Sequence, residues 1–356
     1  MAGITTYTGV PDSAPVSITT GGNLTINQAI DTLAGSASSI GTVTLNSAGN
    51  MVLNGAGNIT ADGAVQLTAT NGIQTDADIT TTNDNITLVS ATTLTGAVAI
   101  STGIGAGTIA FNNTLDGGHS LTLTSGTGNI DFDAPVGSIA SLGILTVVSA
   151  MNVTADSSVT AASILQQAGS GATTFTGAVT TNTVAGVNLT GTDLVVTTGI
   201  STASNGVLTT RLSGSATLSN GSVTNITGTT TIDADGAIIA GGSTTSAGQI
   251  LLRSTTNSIT INSAASMNSA TQNVTLEAED NITVSSTSIV TTTLGEVILR
   301  SGVGDTDNSG SMLLNGIIQA LAAGQFITLD LNQQQGATQS ATGALIASNL
   351  RLISTG

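Results

Sequence analysis

The stretch GNIDFDAPVG, residues 128–137, places two carboxylates around a phenylalanine in a chain that owns few of either. Alternate residues of an extended strand share a face, so Ile130 and Phe132 point one way and Asp131 and Asp133 the other. The pattern inside this stretch, x-(V/I)-x-(L/F), recurs. It appears as TVTL at 42, AVQL at 64, NITL at 85, TIAF at 108, NIDF at 129, NVTA at 152 and ATTF at 172. Its last position forms a column of Leu45, Leu67, Leu88, Phe111, Phe132, Ala155 and Phe175. The mean step is about 22 residues, in the range of solenoid repeats. Two positions earlier the residues are also apolar, from Val43 to Val153, until the series ends on Thr173. The signal resumes in ILLR at 250, NVTL at 273 and VILR at 297, whose column is Leu252, Leu276 and Leu299.

Each period holds further short strands, such as MVLN at 51 and NITA at 58, joined by Gly, Asn, Asp and Ser. Those joint residues tolerate positive φ or bond their own backbone at a bend. Strands this short, without hairpin dipeptides at matching intervals, pair with the equivalent strand one period later. The expected fold is all-β: a parallel β-helix (β-solenoid) of about 22 residues per three-strand coil, with roughly fourteen coils over residues 41–356. A β-sandwich array would repeat at about 100 residues, and no such repeat is present. Residues 1–40 differ, holding Tyr7, Pro11 and Pro15. TINQAIDTLAG at 25–35 carries a helix-like capping spacing from Thr25 to Gln28, and residues 1–40 are expected to be an N-terminal cap or assembly segment.

Composition narrows the function. Charged residues are 7% of the 356, against roughly 25% in an ordinary soluble protein. Lysine, cysteine and tryptophan are absent; 4 arginines face 20 acids, for a net charge of −16. Such a chain cannot neutralise phosphates, which argues against nucleic acid and anionic membrane surfaces as partners. No apolar run is long enough to span a membrane. No charged-then-apolar export signal follows Met1. The signal has therefore been removed, the chain is a piece of a longer one, or export takes another route. The lack of cysteine fits a secreted or cell-surface protein.

The repeats GNITADG (57–63), DNITLVS (84–90) and GNIDFDA (128–134), on their Ser/Thr/Asn/Gly background, resemble the shafts of filamentous-haemagglutinin-like and autotransporter-type bacterial surface proteins. The likeness covers about residues 41–356 and is one of pattern. It implies a right-handed β-helix, export to the cell surface, and a role in adhesion or as a stalk. It carries over no catalytic residue.

Few residues invite chemistry. Asp131 and Asp133, about 7 Å apart along a strand, would suit glycoside hydrolysis. Sugar-binding grooves usually want aromatic platforms and basic or polar clusters, however, and aromatics are 1% here. The two acids read as solvated outer-face groups that limit sheet aggregation. His119, in the turn DGGHS, has no neighbour to make it a base or a metal ligand. In GVGDTDNSGS (302–311), Asp305, Asp307 and Ser309 followed by Gly310 match the opening of a calcium loop. The twelfth position is Gly316 instead of an acid, so this is at most a weak Ca²⁺ site, and an excursion loop is the plainer reading. No other cofactor is expected. N-x-T triplets at Asn58, Asn85, Asn188 and Asn281 read as a bend followed by a β-branched strand.

These features point to a non-enzymatic structural β-solenoid of a bacterial surface or extracellular protein, an adhesin shaft or a self-assembling filament subunit. Its expected partners are other copies, joined head-to-tail through the solenoid ends, and a cell-surface or matrix ligand. SNLRLISTG at 348–356 continues the core pattern in Leu350, Leu352 and Ile353 without a polar cap. The alternative is a carbohydrate-binding or carbohydrate-cleaving β-helix, which a groove of clustered acids and aromatics along one face would favour.

Overall fold

A computed structural model describes residues 4–5, 14–33, 40–304, 310–332 and 336–355. No helix occurs among them. The strands stack in parallel as a β-solenoid of about 14 turns, about 23 residues apart. The chain divides into two compact units, Met1–Gly177 and Ala178–Gly356. Each is built from three stacks of short parallel strands.

In the first unit, one stack contains Val43–Ser47, Val65–Ala69, Ile86–Leu88, Ile109–Phe111, Ile130–Phe132, Val153–Ala155 and Ala172–Phe175. Its register pairs Leu45 with Leu67, then Leu88, Phe111, Phe132, Ala155 and Phe175 in turn. All seven side chains are buried. The Phe111 and Phe132 rings stack 5.3 Å apart at 10°, because strand spacing of about 4.8 Å suits offset aromatic stacking. Thr173 is the polar intruder in the neighbouring inner column. Its hydroxyl donates to Gln166 Oε1 at 2.8 Å, so one buried polar group satisfies another.

The turns explain the Asn and Ser content. Asn58 Oδ1 accepts the Asp78 N–H at 2.9 Å, and Asn85 Oδ1 accepts the Thr108 N–H at 2.9 Å. In the second unit Asn281 Oδ1 likewise accepts the Ser311 N–H at 2.9 Å. Each of these three carboxamides therefore ties its coil to the next one, whereas Asn188 lies within the strand Val187–Gly191 and not at a bend. Inner serines at strand ends bind the other way. Ser47, Ser246, Ser254 and Ser269 donate to the carbonyls of Gly22, Gly228, Gly236 and Gly248 at 2.7–2.8 Å. Backbone carbonyls that would be orphaned at each corner thus find a partner one coil back. Some turns pack so closely that a side chain has no room. A Cβ on Gly128 would lie 2.0 Å from the Gly107 carbonyl oxygen.

In the second unit Leu252, Leu276 and Leu299 form a column of their own, continued by Leu329 of ITLDL and extended backwards by Leu189, Thr210 and Ile232, which the sequence pattern does not join to it. Its register runs Leu189, Thr210, Ile232, Leu252, Leu276, Leu299 and Leu329. The I-x-(I/V) strands Ile259–Ile261 and Ile282–Val284 belong to another stack of the same unit. Two of the three stacks therefore carry the same apolar alternation, and alternation alone does not assign a strand to its stack. The longer step from Leu299 to Leu329 arises between Val297–Ser301 and Met312–Leu314.

The helix-like spacing at 25–28 is a correction. Leu24–Ile26 and Ile30–Asp31 are strands, paired in register with Met51–Leu53 and with Ile59 and Thr60. Val16–Thr20 pairs with Val43–Ser47, so repeat strands already occur before residue 41. Ile26 and Ile30 are both buried on strands either side of a turn, and a turn of this length reproduces the i, i+4 spacing of a helix face. The Asn27 amide in that turn accepts a hydrogen bond from Asn54, one coil on.

The aromatic step sets a clear expectation. Phe132→Ala should cost about 3–5 kcal/mol locally and accelerate hydrogen exchange at 109–111, 130–132 and 153–155 before other strands. Phe132→Leu should recover most of the protection. Uniform exchange across the first unit in Phe132→Ala would contradict the packing described.

Candidate functional site

Residues that follow the inner column of the second unit point outward. At six successive coils they are Arg211, Asp233, Arg253, Glu277, Arg300 and Asp330, each the Cα partner of the next. The signs alternate at every step. Three of the chain's 4 arginines are thus spent on one row. Arg253 grips Asp233 with two bonds, Nε to Oδ1 at 2.9 Å and Nη2 to Oδ2 at 2.5 Å. Arg211 Nη1 reaches the same Oδ2 from the coil before at 2.9 Å. Arg300 is hydrogen-bonded to Glu277 and lies 3.9 Å from Asp330. The fourth, Arg351, sits 4.5 Å over the Phe326 ring.

Asp233 is the centre of this row. Its side chain is only 10% exposed, whereas those of Arg211 and Arg253 are 73% and 41% exposed. The hydrogen bond from Arg253 holds its carboxyl below the usual carboxylate range. Burial opposes this, and the charges of Arg253 and Arg211 reinforce it. The same contact raises Arg253. Pairs this exposed contribute about 0.2–1 kcal/mol each. Their greater value lies in register, because skipping one coil would set arginine against arginine and acid against acid. The sequence did hold a signal for this row: a charged residue follows the inner column at Thr210, Ile232, Leu252, Leu276, Leu299 and Leu329 alike.

The other candidates are dispersed. Asp131 is partly buried and Asp133 exposed, on the outer side of the Phe132 strand. Burial pushes the Asp131 carboxyl up, with Asp133 and Asp156 adding like charge. Among the described residues, no base, cation or aromatic wall is gathered around these carboxylates. His119 is exposed. Asp305, Asp307 and Ser309 lie outside the described residues. Among the described residues, no three metal-ligating side chains come together, and no helix is long and apolar enough to cross a membrane.

Fold and surface together define the class: a parallel β-solenoid repeat protein. Comparisons of the chain with family models, with curated proteins and with solved structures each return no match.

The Asp233 row predicts an acid dependence. A carboxyl held low in the folded state is bound to fewer protons there than in the unfolded chain. The stability it adds is present above its unfolded pKa, about 3.9, and is lost as pH falls through the folded value. Asp233→Asn should lower stability by about 1–2 kcal/mol at pH 7 and flatten the loss of stability below about pH 4. Equal acid slopes for variant and wild type in denaturant titrations would rule out this role.

Proposed function

We propose that the chain is a non-enzymatic structural solenoid of a bacterial surface or extracellular protein, serving as an adhesin shaft or a filament subunit. The observation that carries this reading is the coil formed by Ala337–Gln339, Ala344–Ile346 and Asn349–Thr355. Leu350 and Leu352 are the register partners of Ile327 and Leu329. The inner pair is 1% and 3% exposed, whereas Leu350 and Leu352 are 53% and 68% exposed. Among the described residues, no coil lies over these core positions. Among the described residues, Asn349–Thr355 pairs with Phe326–Asn332 alone, and its other edge suits addition of a further strand, of a longer chain or of a second copy.

A second copy is the occupant we favour, entering with the edges of its Val16–Thr20 and Leu24–Ile26 strands, whereas Ile30–Asp31 is already paired with Ile4–Thr5. Such a contact joins two different surfaces, does not close on itself, and propagates as a fibre. Rows of Thr, Ser and Asn outside, with apolar and hydroxyl columns inside, suit a rod that spaces or displays. Adhesion and an extracellular location are supported by composition and by the shaft-like repeats.

Light scattering of the purified chain across a concentration series tests this. Association that rises with concentration and is abolished by Leu352→Asp, with unchanged circular dichroism, is the expected outcome. A chain that stays monomeric at high concentration would refute self-assembly and leave a passive stalk segment.

A further inference from the structure

We propose that an outer groove of the second unit binds an extended, neutral, β-linked glycan chain. The groove encloses about 500 Å³ and is lined by Gln249, Gln272, Asn273, Leu294, Glu296 and Gln325 among others. That volume falls within the range of small-ligand sites, about 300–1,000 Å³.

The repeat itself builds this groove. Ile250, Val274, Val297 and Ile327 are register partners on four successive coils. Gln249, Asn273 and Glu296 immediately precede the first three, and Gln272 and Gln325 stand one position further back. Polar side chains therefore recur along the groove at the coil spacing, about 4.8 Å. Gly295 keeps the wall tight, since a Cβ there would lie 2.2 Å from the Gln272 carbonyl oxygen. Asn273 Oδ1 accepts the Glu296 N–H at 2.9 Å, which fixes the carboxamide and leaves its NH₂ as a donor. The amide ends of Gln249, Gln272 and Gln325 form no hydrogen bond among the described residues. Each offers a donor and an acceptor. Leu294, 55% exposed, supplies an apolar platform.

This combination matches a sugar chain better than other polymers. Hexose hydroxyls need donors and acceptors together, and a ring's C–H face needs an apolar surface. The rise of one hexose in an extended β-1,4 chain is close to one coil, so each sugar lies beside the polar side chains of one coil. Glu296 is the one charged group of the lining, and it disfavours uronates and sulfated sugars. A single carboxylate lacks the second acid that glycoside hydrolysis requires, so the role is binding without cleavage. The inference is independent of how the solenoid assembles.

Calorimetry on the full chain with cello-oligosaccharides of increasing length, and with chitohexaose, tests it. Affinity should rise from the disaccharide to the tetrasaccharide and then level off, because the groove spans four coils. Gln272→Ala combined with Gln325→Ala should weaken cellohexaose binding by about tenfold at an unchanged thermal midpoint. Leu294→Ala should weaken it as well. No heat with either neutral hexasaccharide at millimolar concentration would overturn the proposal. So would undiminished binding by the double variant, or tighter binding of hexagalacturonate.

Discussion

Everything in this molecule depends on in-register parallel stacking, in which each inner side chain lies directly over its equivalent one coil away. Strand spacing of about 4.8 Å brings neighbours in a column into contact, and most match in size and polarity; Ala155 between Phe132 and Phe175, and Thr210 between Leu189 and Ile232, do not. Leu45, Leu67 and Leu88 match by being identical, and Phe111 and Phe132 match by stacking. Where a hydroxyl enters the interior, it is answered locally, as Thr173 is by Gln166. Other hydroxyls are not. Thr224, Thr230 and Thr244 of the second unit bury Oγ1 atoms without a partner among the described residues, each forgoing a hydrogen bond where a valine would pack.

The same constraint explains a composition that first looks unlike a folded protein. Corners recur at every coil, and each needs a group that bonds the adjoining coil's backbone. Asparagine before a strand and serine at its end fill those roles, so the chain is rich in both. Charges have little place on a surface of stacked Thr and Ser. The exception is the row from Arg211 to Asp330, where alternating signs make each coil the electrostatic complement of its neighbours.

The sequence is legible where the constraint writes one residue type at one interval. The column from Leu45 to Phe175 could be read directly because large apolar residues mark every coil but one. Assigning Leu252, Leu276 and Leu299 was harder, since a second stack of the same unit carries the same alternation. Thr25 to Gln28 misled because Thr25 lies in the strand Leu24–Ile26 and Gln28 in the bend that follows, so the capping spacing spans a strand end and a corner. The charged row went unread because its members are sparse and separated by whole coils. They become a group only once Thr210 and Ile232 are placed in the same column as Leu252. The polar groove is hidden for the same reason: Gln249, Asn273 and Glu296 look like ordinary turn residues until the coils are stacked.

The central claim is coil-on-coil register, and the absence of native cysteine allows a clean test by disulfide trapping. Gln66 and Thr87 are outward-facing register partners, and Ala110 is the partner of Thr87 on the following coil. Adjacent coils at about 4.8 Å fall inside the Cα separation a disulfide accepts, about 4.4–6.8 Å, and coils two apart do not. Gln66→Cys with Thr87→Cys should therefore oxidise to an intramolecular disulfide in the folded chain, while Gln66→Cys with Ala110→Cys should stay reduced. Efficient trapping of the second pair, with none of the first, would contradict the solenoid register.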